Sequence, residues 1–389
     1  MILKLLFLIL LSLPNISFTQ NIILKDMATN DMKSVSYGSK SFLLVKSYTG
    51  LSRKDRKIAK DFNILTYSDV PLDSSIVEFD KDLFETKLIC LEADEVIWTK
   101  PIGHSNTTRS SGLATDSEGF IYTGEKNLNK QSINIVKFDL DGKKVWSRDF
   151  DSLLYIHDIY ANDSDVITLQ VSYTYRDQIE FDLHYFFQTL KIKKSDGTLI
   201  SKVNNDGINF FSTNGFSDPI LASHADHYFY NGDTLVYARN DSMMLRIVSE
   251  RSLSDHEVVD VIGKEYTYFV MGQYRNDSSF RIIRNNWAYE NGELYINLLI
   301  NPHAEILKVR KNEVNGVSVF YQLKDKIGMV KLDADLEVVT KNESFLDTNQ
   351  FEVISDILIL KDGKISVIGI NQKKKKRTVS VLSKTENGL

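Results

Sequence analysis

The chain has 389 residues, 42% of them hydrophobic and 11% aromatic, which supplies enough apolar material for a packed body and excludes a disordered polar tail. A net charge of −5 argues against a surface built to hold nucleic acid. The one cysteine, Cys90, rules out an intramolecular disulfide, so packing alone must hold the fold together.

At the N-terminus, Lys4 precedes an apolar run over residues 5–13, followed by Pro14 and the stretch Ser17-Phe18-Thr19-Gln20. This is the layout of a secretory signal, with the cut expected after Thr19 and a mature chain of residues 20–389. A retained anchor needs about 20 consecutive apolar residues, and Pro14-Asn15 interrupts the run before that. No later segment is long and apolar enough to span a bilayer, and no cysteine lies near the cut to carry a lipid. The expectation is a secreted or periplasmic protein of one domain.

Residues 51–62 depart from the β pattern of the rest of the chain. In Ser52-Arg53-Lys54-Asp55-Arg56-Lys57-Ile58, Ser52 and Asp55 have the spacing of an N-cap and its reciprocal acid, which predicts a short basic helix inserted in the first repeat. Arg53, Lys54, Arg56 and Lys57 are candidate contacts for an anionic partner, against the plainer reading of a solvated helix face.

Elsewhere the chain is written in strands. Ser41-Phe42-Leu43-Leu44-Val45, Ile133-Asn134-Ile135-Val136, Val166-Ile167-Thr168-Leu169 and Leu294-Tyr295-Ile296-Asn297 are short, β-branched or aromatic, and bounded by turn residues. Asp141-Gly142, Asn231-Gly232, Asn291-Gly292 and Asp362-Gly363 supply the positive φ angles of tight hairpins. An apolar, charged, apolar strand recurs from Val77, Val136, Leu190, Leu245, Leu307, Val330 and Val381, at intervals of 51 to 62 residues except for 23 between Leu307 and Val330. Recurrence of that length fits one four-stranded sheet per repeat, hence an all-β propeller. Seven blades follow if a degenerate blade lies in the short interval, and six if Leu307 and Val330 belong to one blade. Ring closure requires a strand within residues 22–45 to pair with the last blade.

The run Ile135-Val136-Lys137-Phe138-Asp139-Leu140-Asp141-Gly142-Lys143-Lys144-Val145-Trp146 resembles the repeat of bacterial quinoprotein-like propellers (the pyrroloquinoline-quinone repeat), where a strand, an Asp-Gly hairpin and a strand ending in Trp recur. Lys194-Ser195-Asp196-Gly197 and Lys361-Asp362-Gly363-Lys364 keep the turn without the Trp, and Trp98 in Val96-Ile97-Trp98 is a further remnant. The resemblance implies propeller architecture over most of residues 38–389. Regular Trp-bearing repeats and a quinone-gripping centre are expected of a quinoprotein, and one full repeat does not make them, so no cofactor is predicted.

His224, Asp226 and His227 are the best metal-like group, since two imidazoles and a carboxylate within four residues can begin a zinc site. Sequence offers no further protein ligand in a recognised spacing, and a satisfied turn is the simpler account. Asp139, Asp141 and Gly142 resemble the start of a calcium loop but lack its later Glu, so a hairpin explains them. Cys90, within Leu88-Ile89-Cys90-Leu91, reads as a buried small hydrophobe. Lys373, Lys374, Lys375 and Lys376 lie between two strands, as a solvated hairpin tip or a contact for an anionic surface. No nucleophile elbow or phosphate cradle is present. The function expected is an exported binding or scaffolding module for a protein or glycan partner. The alternative is a periplasmic enzyme, a quinone-dependent dehydrogenase or a glycan hydrolase, with paired acids in the channel.

Overall fold

The computed structural model describes residues 32–48, 84–92, 95–105, 111–127, 132–151, 155–161, 165–176, 183–204, 219–220, 226–231, 234–240, 245–252, 256–264, 267–274, 279–286, 294–312, 316–349, 351–373 and 376–385. Among these residues every regular element is a strand and none is a helix. The strands form seven antiparallel sheets, each a meander in chain order. The first holds β1 (Lys33–Tyr37), β2 (Lys40–Tyr48), β3 (Phe84–Glu92) and β4 (Glu95–Ser105). The second holds β5 (Ser111–Thr115), β6 (Ile121–Asn127), β7 (Ser132–Phe138) and β8 (Lys144–Asp151). The third holds β9 (Tyr155–Ala161), β10 (Val166–Arg176), β11 (Leu183–Lys193) and β12 (Leu199–Asn204). The fourth holds β13 (Pro219–Ile220), β14 (Asp226–Asn231), β15 (Thr234–Asn240) and β16 (Leu245–Ser252). The fifth holds β17 (His256–Lys264), β18 (Thr267–Tyr274), β19 (Phe280–Asn286) and β20 (Leu294–Leu298). The sixth holds β21 (Glu305–Lys311), β22 (Val317–Leu323), β23 (Lys326–Leu332) and β24 (Val338–Asp347). The seventh holds three strands, β25 (Val353–Ile359), β26 (Lys364–Lys373) and β27 (Lys376–Thr385).

The cores lie between sheets. In β2, Phe42 and Leu44 enter a core shared with the second sheet, while Leu43 and Val45 enter one shared with the seventh. Successive side chains point to opposite faces, and both faces are covered, so the strand is a continuous apolar run rather than an alternation. The same arrangement joins the second sheet to the third, the fifth to the sixth and the sixth to the seventh. Each fully buried Leu, Ile or Phe contributes about 1.5–3 kcal/mol. Because the seventh sheet also packs on the first, the sheets run around an axis and their ends adjoin, which is the architecture of a β-propeller.

First strands of adjoining sheets run side by side in the same direction. Ser34 Oγ donates to the Asp356 carboxylate, Ser36 Oγ to the Ile359 carbonyl at 3.4 Å, and Lys361 N to the Gly38 carbonyl at 3.0 Å. Tyr37 likewise reaches the Ser117 carbonyl beyond β5 at 3.1 Å. One rim therefore carries the first-to-second and third-to-fourth turns. The strand ends joined by the second-to-third connections and by those between sheets, such as Tyr48 and Phe84, lie on the other.

One expectation is corrected. Leu307 lies in β21 and Val330 in β23 of the same sheet, so the 23-residue interval holds no degenerate blade. The sheet without an expected seed is the fifth, β17 to β20. Of the segment 22–45 expected to close the ring, β1 and β2 pair with each other and β2 with β3, while residues 22–31 lie outside the described residues. The signal over 1–19, the helix at 51–62 and the strand from Val77 lie outside the described residues.

Candidate functional site

The hairpin rim is built from one repeated turn. In residues 116–120, 139–143 and 333–337 an Asp opens the turn and its Oδ1 accepts two backbone N–H groups: Glu118 and Phe120 at 3.1 and 2.9 Å, Asp141 and Lys143 at 3.1 and 2.8 Å, Asp335 and Glu337 both at 2.9 Å. These carboxylates tie down the loop, which is why Asp139 and Asp141 mark a hairpin rather than a cation loop. No group of three or more His, Cys, Asp or Glu side chains suited to a metal stands among the described residues.

Each of two indoles clamps the next sheet's turn. Trp98 Nε1 of β4 donates to the Leu140 carbonyl at 3.1 Å, and Trp146 Nε1 of β8 donates to the Lys194 carbonyl at 2.9 Å. The rings lie over Gly142 and Gly197 of those same turns, where an added Cβ would meet ring carbons at 2.9 Å. Trp98 and Trp146 are thus equivalent residues, as the remnant motif suggests.

Beneath Trp146, Asp116 accepts the Tyr122 hydroxyl at 2.9 Å and stands 3.7 Å from Lys194 Nζ. Lys137 Nζ donates to the Lys194 carbonyl at 3.1 Å and lies 3.7 Å above the Phe120 ring. Burial, then the Asp116 hydrogen bond and charge, pushes the Tyr122 phenol well above its ordinary range. Burial holds the Lys137 amine below its ordinary range. Tyr122 is therefore a fixed donor, and the group locks the second sheet to the third instead of forming an open acid–base pair.

On the inner strands, Arg310 of β21 pairs with Asp356 of β25 and donates through Nε to the Ile357 carbonyl at 2.9 Å. Asp356 also receives Ser34 Oγ of β1, so three successive sheets meet at one carboxylate. Nearby, a cleft of about 240 Å³ opens at the seam of the first and last sheets, with Ser39, Glu92, Asp362 and Lys364 in its lining. Ser39 Oγ donates to Glu92 at 2.6 Å there. Between the first and second sheets, Lys46 and Glu125 form a buried ion pair at 2.9 Å near the opposite rim.

Of the residues singled out by sequence, His224, Arg53, Lys54, Arg56, Lys57, Lys374 and Lys375 lie outside the described residues. Asp226 and His227 open β14, with register partners Arg239 and Ala238, and Lys373 pairs with Lys376 at the β26–β27 tip. Cys90 is fully buried in the core of the first two sheets, and burial pushes its thiol up to about 11. Sequence reasoning missed Arg310, Asp356 and Ser34. They are 46 and 322 residues apart in chain order, and no local pattern joins them.

No family model matches the chain, and no curated protein matches it. Among solved structures it is similar to the β-propeller domain of the Trilobed protease from Pyrococcus furiosus, described as having an open Velcro topology. The identity is 10%, the TM-score 0.50, and the match covers 94% of this chain and 96% of that one. It is also similar to an acylaminoacyl peptidase from Pyrococcus horikoshii, at 10% identity and a TM-score of 0.52, covering 91% of this chain and 52% of that one. A puromycin-hydrolyzing peptidase of Mycobacterium tuberculosis matches at 10% identity and a TM-score of 0.50, covering 96% and 55%. The chain spans about half the length of these two peptidases. The likeness is one of fold: the chain is a β-propeller.

Proposed function

We propose that the chain is an exported, seven-bladed propeller that acts as a binding or scaffolding module and receives an anionic partner, protein or glycan, on the rim opposite the hairpin turns. One observation carries the reading. β2 ends at Tyr48 and β3 starts at Phe84, β26 ends at Lys373 and β27 starts at Lys376, and all four ends lie on that rim in adjoining sheets. Two basic runs far apart in sequence, Arg53, Lys54, Arg56 and Lys57 in one and Lys373, Lys374, Lys375 and Lys376 in the other, lie in chain order between strand ends that share this rim. A local excess of cations on a chain of net charge −5 concentrates positive potential where a partner of opposite charge can be steered. Export is supported by Lys4, the apolar run over 5–13 and the polar stretch that ends at Gln20.

N-terminal sequencing of protein secreted by its host should read from Gln20. For binding, heparin serves as the glycan probe and polyglutamate as the acidic polypeptide, each titrated at rising salt. One probe should bind, more weakly as salt screens the charges. Replacing Lys373, Lys374, Lys375 and Lys376 by Gln should weaken binding about tenfold, or about 1.4 kcal/mol. Binding of neither probe, or equal binding by the variant, overturns the basic-rim reading.

A further inference from the structure

At two seams of the ring an aromatic pair fills the space beneath the hairpin rim. Phe42 packs on Trp98 at 5.9 Å between ring centroids, and Tyr122 on Trp146 at 6.1 Å. Opposite Phe42 on the third strand stands Cys90, and opposite Tyr122 stands Lys137. The seventh sheet departs from this plan. Its turn at 360–364 has the backbone hydrogen bonds of the turn at 116–120, so Ser366 holds the place of Tyr122, and Ser383 faces it on the neighbouring strand. Two serines thus stand where the second sheet has a phenol and a lysine, and Ser366 lines the cleft of about 240 Å³ at the seam of the seventh and first sheets.

Floor and mouth of the cleft differ. Leu91, Leu360 and Val381 give it an apolar wall, and the hydroxyls of Ser41 and Ser366 stand among them, although these two residues are only 4% and 2% exposed. Ser366 Oγ lies 2.8 Å from Ser383 Oγ, a contact that uses one of the pair's two protons. Ser41 Oγ has no hydrogen-bond partner among the described residues. At the mouth stand Glu92, Asp362 and Lys364. Ser39 Oγ donates to Glu92 at 2.6 Å, and Asp362 Oδ1 accepts the Lys364 amide at 3.0 Å, so both carboxylates are held in place before any ligand arrives.

This lining selects by exclusion. A carboxylate or phosphate would face Glu92 and Asp362, an amine would face Lys364, and a wholly apolar group would leave the Ser41 hydroxyl desolvated. A polyol has hydroxyls that donate to the carboxylates and accept from the amine and the serines, and a pyranose adds an apolar face for Leu91 and Val381. The volume is below the roughly 300–1,000 Å³ of pockets for drug-sized ligands, which limits the occupant to one ring. We propose that the seam cleft binds a single neutral hexopyranose ring, with Glu92 and Asp362 accepting from its hydroxyls and Ser41 and Ser366 at its floor. The cleft lies on the rim opposite the basic runs and attracts its ligand without net charge, so the site is independent of the partner proposed there.

Methyl NMR on the full chain, with Leu and Val methyls labelled, tests it. The probes are glucose, galactose, mannose and N-acetylglucosamine, each as free sugar and as methyl glycoside, with free leucine as the competing zwitterion. At least one sugar should shift the methyls of Leu91, Leu360 and Val381 with a Kd of about 1 mM or tighter, and raising the salt should not weaken it, unlike heparin on the basic rim. Equal binding of the glycoside identifies the end of a glycan as the source, and binding of the free sugar alone identifies a monosaccharide. Ser366→Phe, which supplies the ring that Phe42 supplies in the first sheet, should weaken binding about tenfold or more. Glu92→Ala, at a half-exposed position that leaves the core intact, should do the same and decides the matter if Ser366→Phe does not fold. Shifts by no sugar, shifts confined to other methyls, affinity unchanged in Glu92→Ala, or leucine bound there in place of every sugar would each overturn the proposal.

Discussion

Gly142 and Leu336 occupy the same place in two copies of one turn. The amide of each donates to the carbonyl of the Asp that opens the turn, and their φ angles are 73° and 65°. Leu336 tolerates the left-handed conformation, at a cost of about 1–2 kcal/mol, because its side chain is buried in the core of the fifth and sixth sheets. Leu336→Gly would relieve that strain but empty a core site worth about 2.7–5 kcal/mol, so the net expectation is destabilisation. The Gly142 site separates strain from contact. Gly363 has a φ of 75° and nothing within 4 Å of an added Cβ, whereas a Cβ on Gly142 meets Trp98 at 2.9 Å. Gly363→Ala should cost about 1 kcal/mol from backbone strain alone, and Gly142→Ala clearly more. Equal urea midpoints for the two would mean the Trp98 clamp yields freely. Cys90 gives a second residue-scale expectation. Its folded thiol titrates near 11 against an ordinary 9.0, so its contribution is complete below pH 9.0 and is lost as pH rises toward 11. Native protein at pH 8 should resist a thiol reagent until urea unfolds it, and Cys90→Ala should flatten the alkaline fall in stability.

The outer strands of four sheets share a bulge. Opposite Cys90/Leu91, Lys137/Phe138, Lys191/Ile192 and Lys331/Leu332 the register slips by one, and the extra residues are Ile97, Val145, Ile200 and Val339. All four are half-exposed β-branched residues on an edge strand. A bulge there disrupts the straight ladder that a second molecule would need for edge-to-edge pairing. The side chains themselves are dispensable on this account. Ile97→Lys, Ile200→Lys and Val339→Lys together should shift stability by no more than about 0.5 kcal/mol each and raise the concentration at which light scattering begins. A large drop in melting temperature would show that these residues are packed instead. The residue after each bulge is Trp98, Trp146, Ser201 or Thr340, which shows how much was legible. The Asp-Gly hairpin and its Trp marked the turn and the clamp in the second sheet and hinted at the first. In the third and sixth sheets Ser and Thr hold the clamp position and erase the signal. The strand pattern was legible as strands but not as places in a sheet, since first strands such as β21 and third strands such as β23 both lie between two cores and both read apolar, charged, apolar.

Across the whole molecule the seam of the last and first sheets is where the ring depends on contacts distant in sequence. Arg310, Asp356 and Ser34 join the sixth, seventh and first sheets through one carboxylate, which Ile357 N also approaches at 2.8 Å. Removing one member of a fully buried ion pair costs about 3–5 kcal/mol, because the other charge stays desolvated. Here Asp356 is 11% exposed and Arg310 29%, so solvent screens part of that loss and Asp356→Ala should cost about 2 kcal/mol. Arg284 and Asp335 provide the internal comparison: they pair at 3.2 Å, but Asp335 is 79% exposed. Asp335→Ala should therefore cost at most about 1 kcal/mol, although its amide also belongs to the 333–337 turn. The clasp also predicts where the loss appears. Amides of β1 and β25 should exchange faster in Asp356→Ala while those of β6 and β7 keep their protection, because the seam opens before the inner sheets do. If the two alanine variants were equally stable, the carboxylate would be a local satisfier of backbone and hydroxyl groups, and the first and last sheets would be held by the apolar core of Leu43, Val45, Ile368 and Val379 alone.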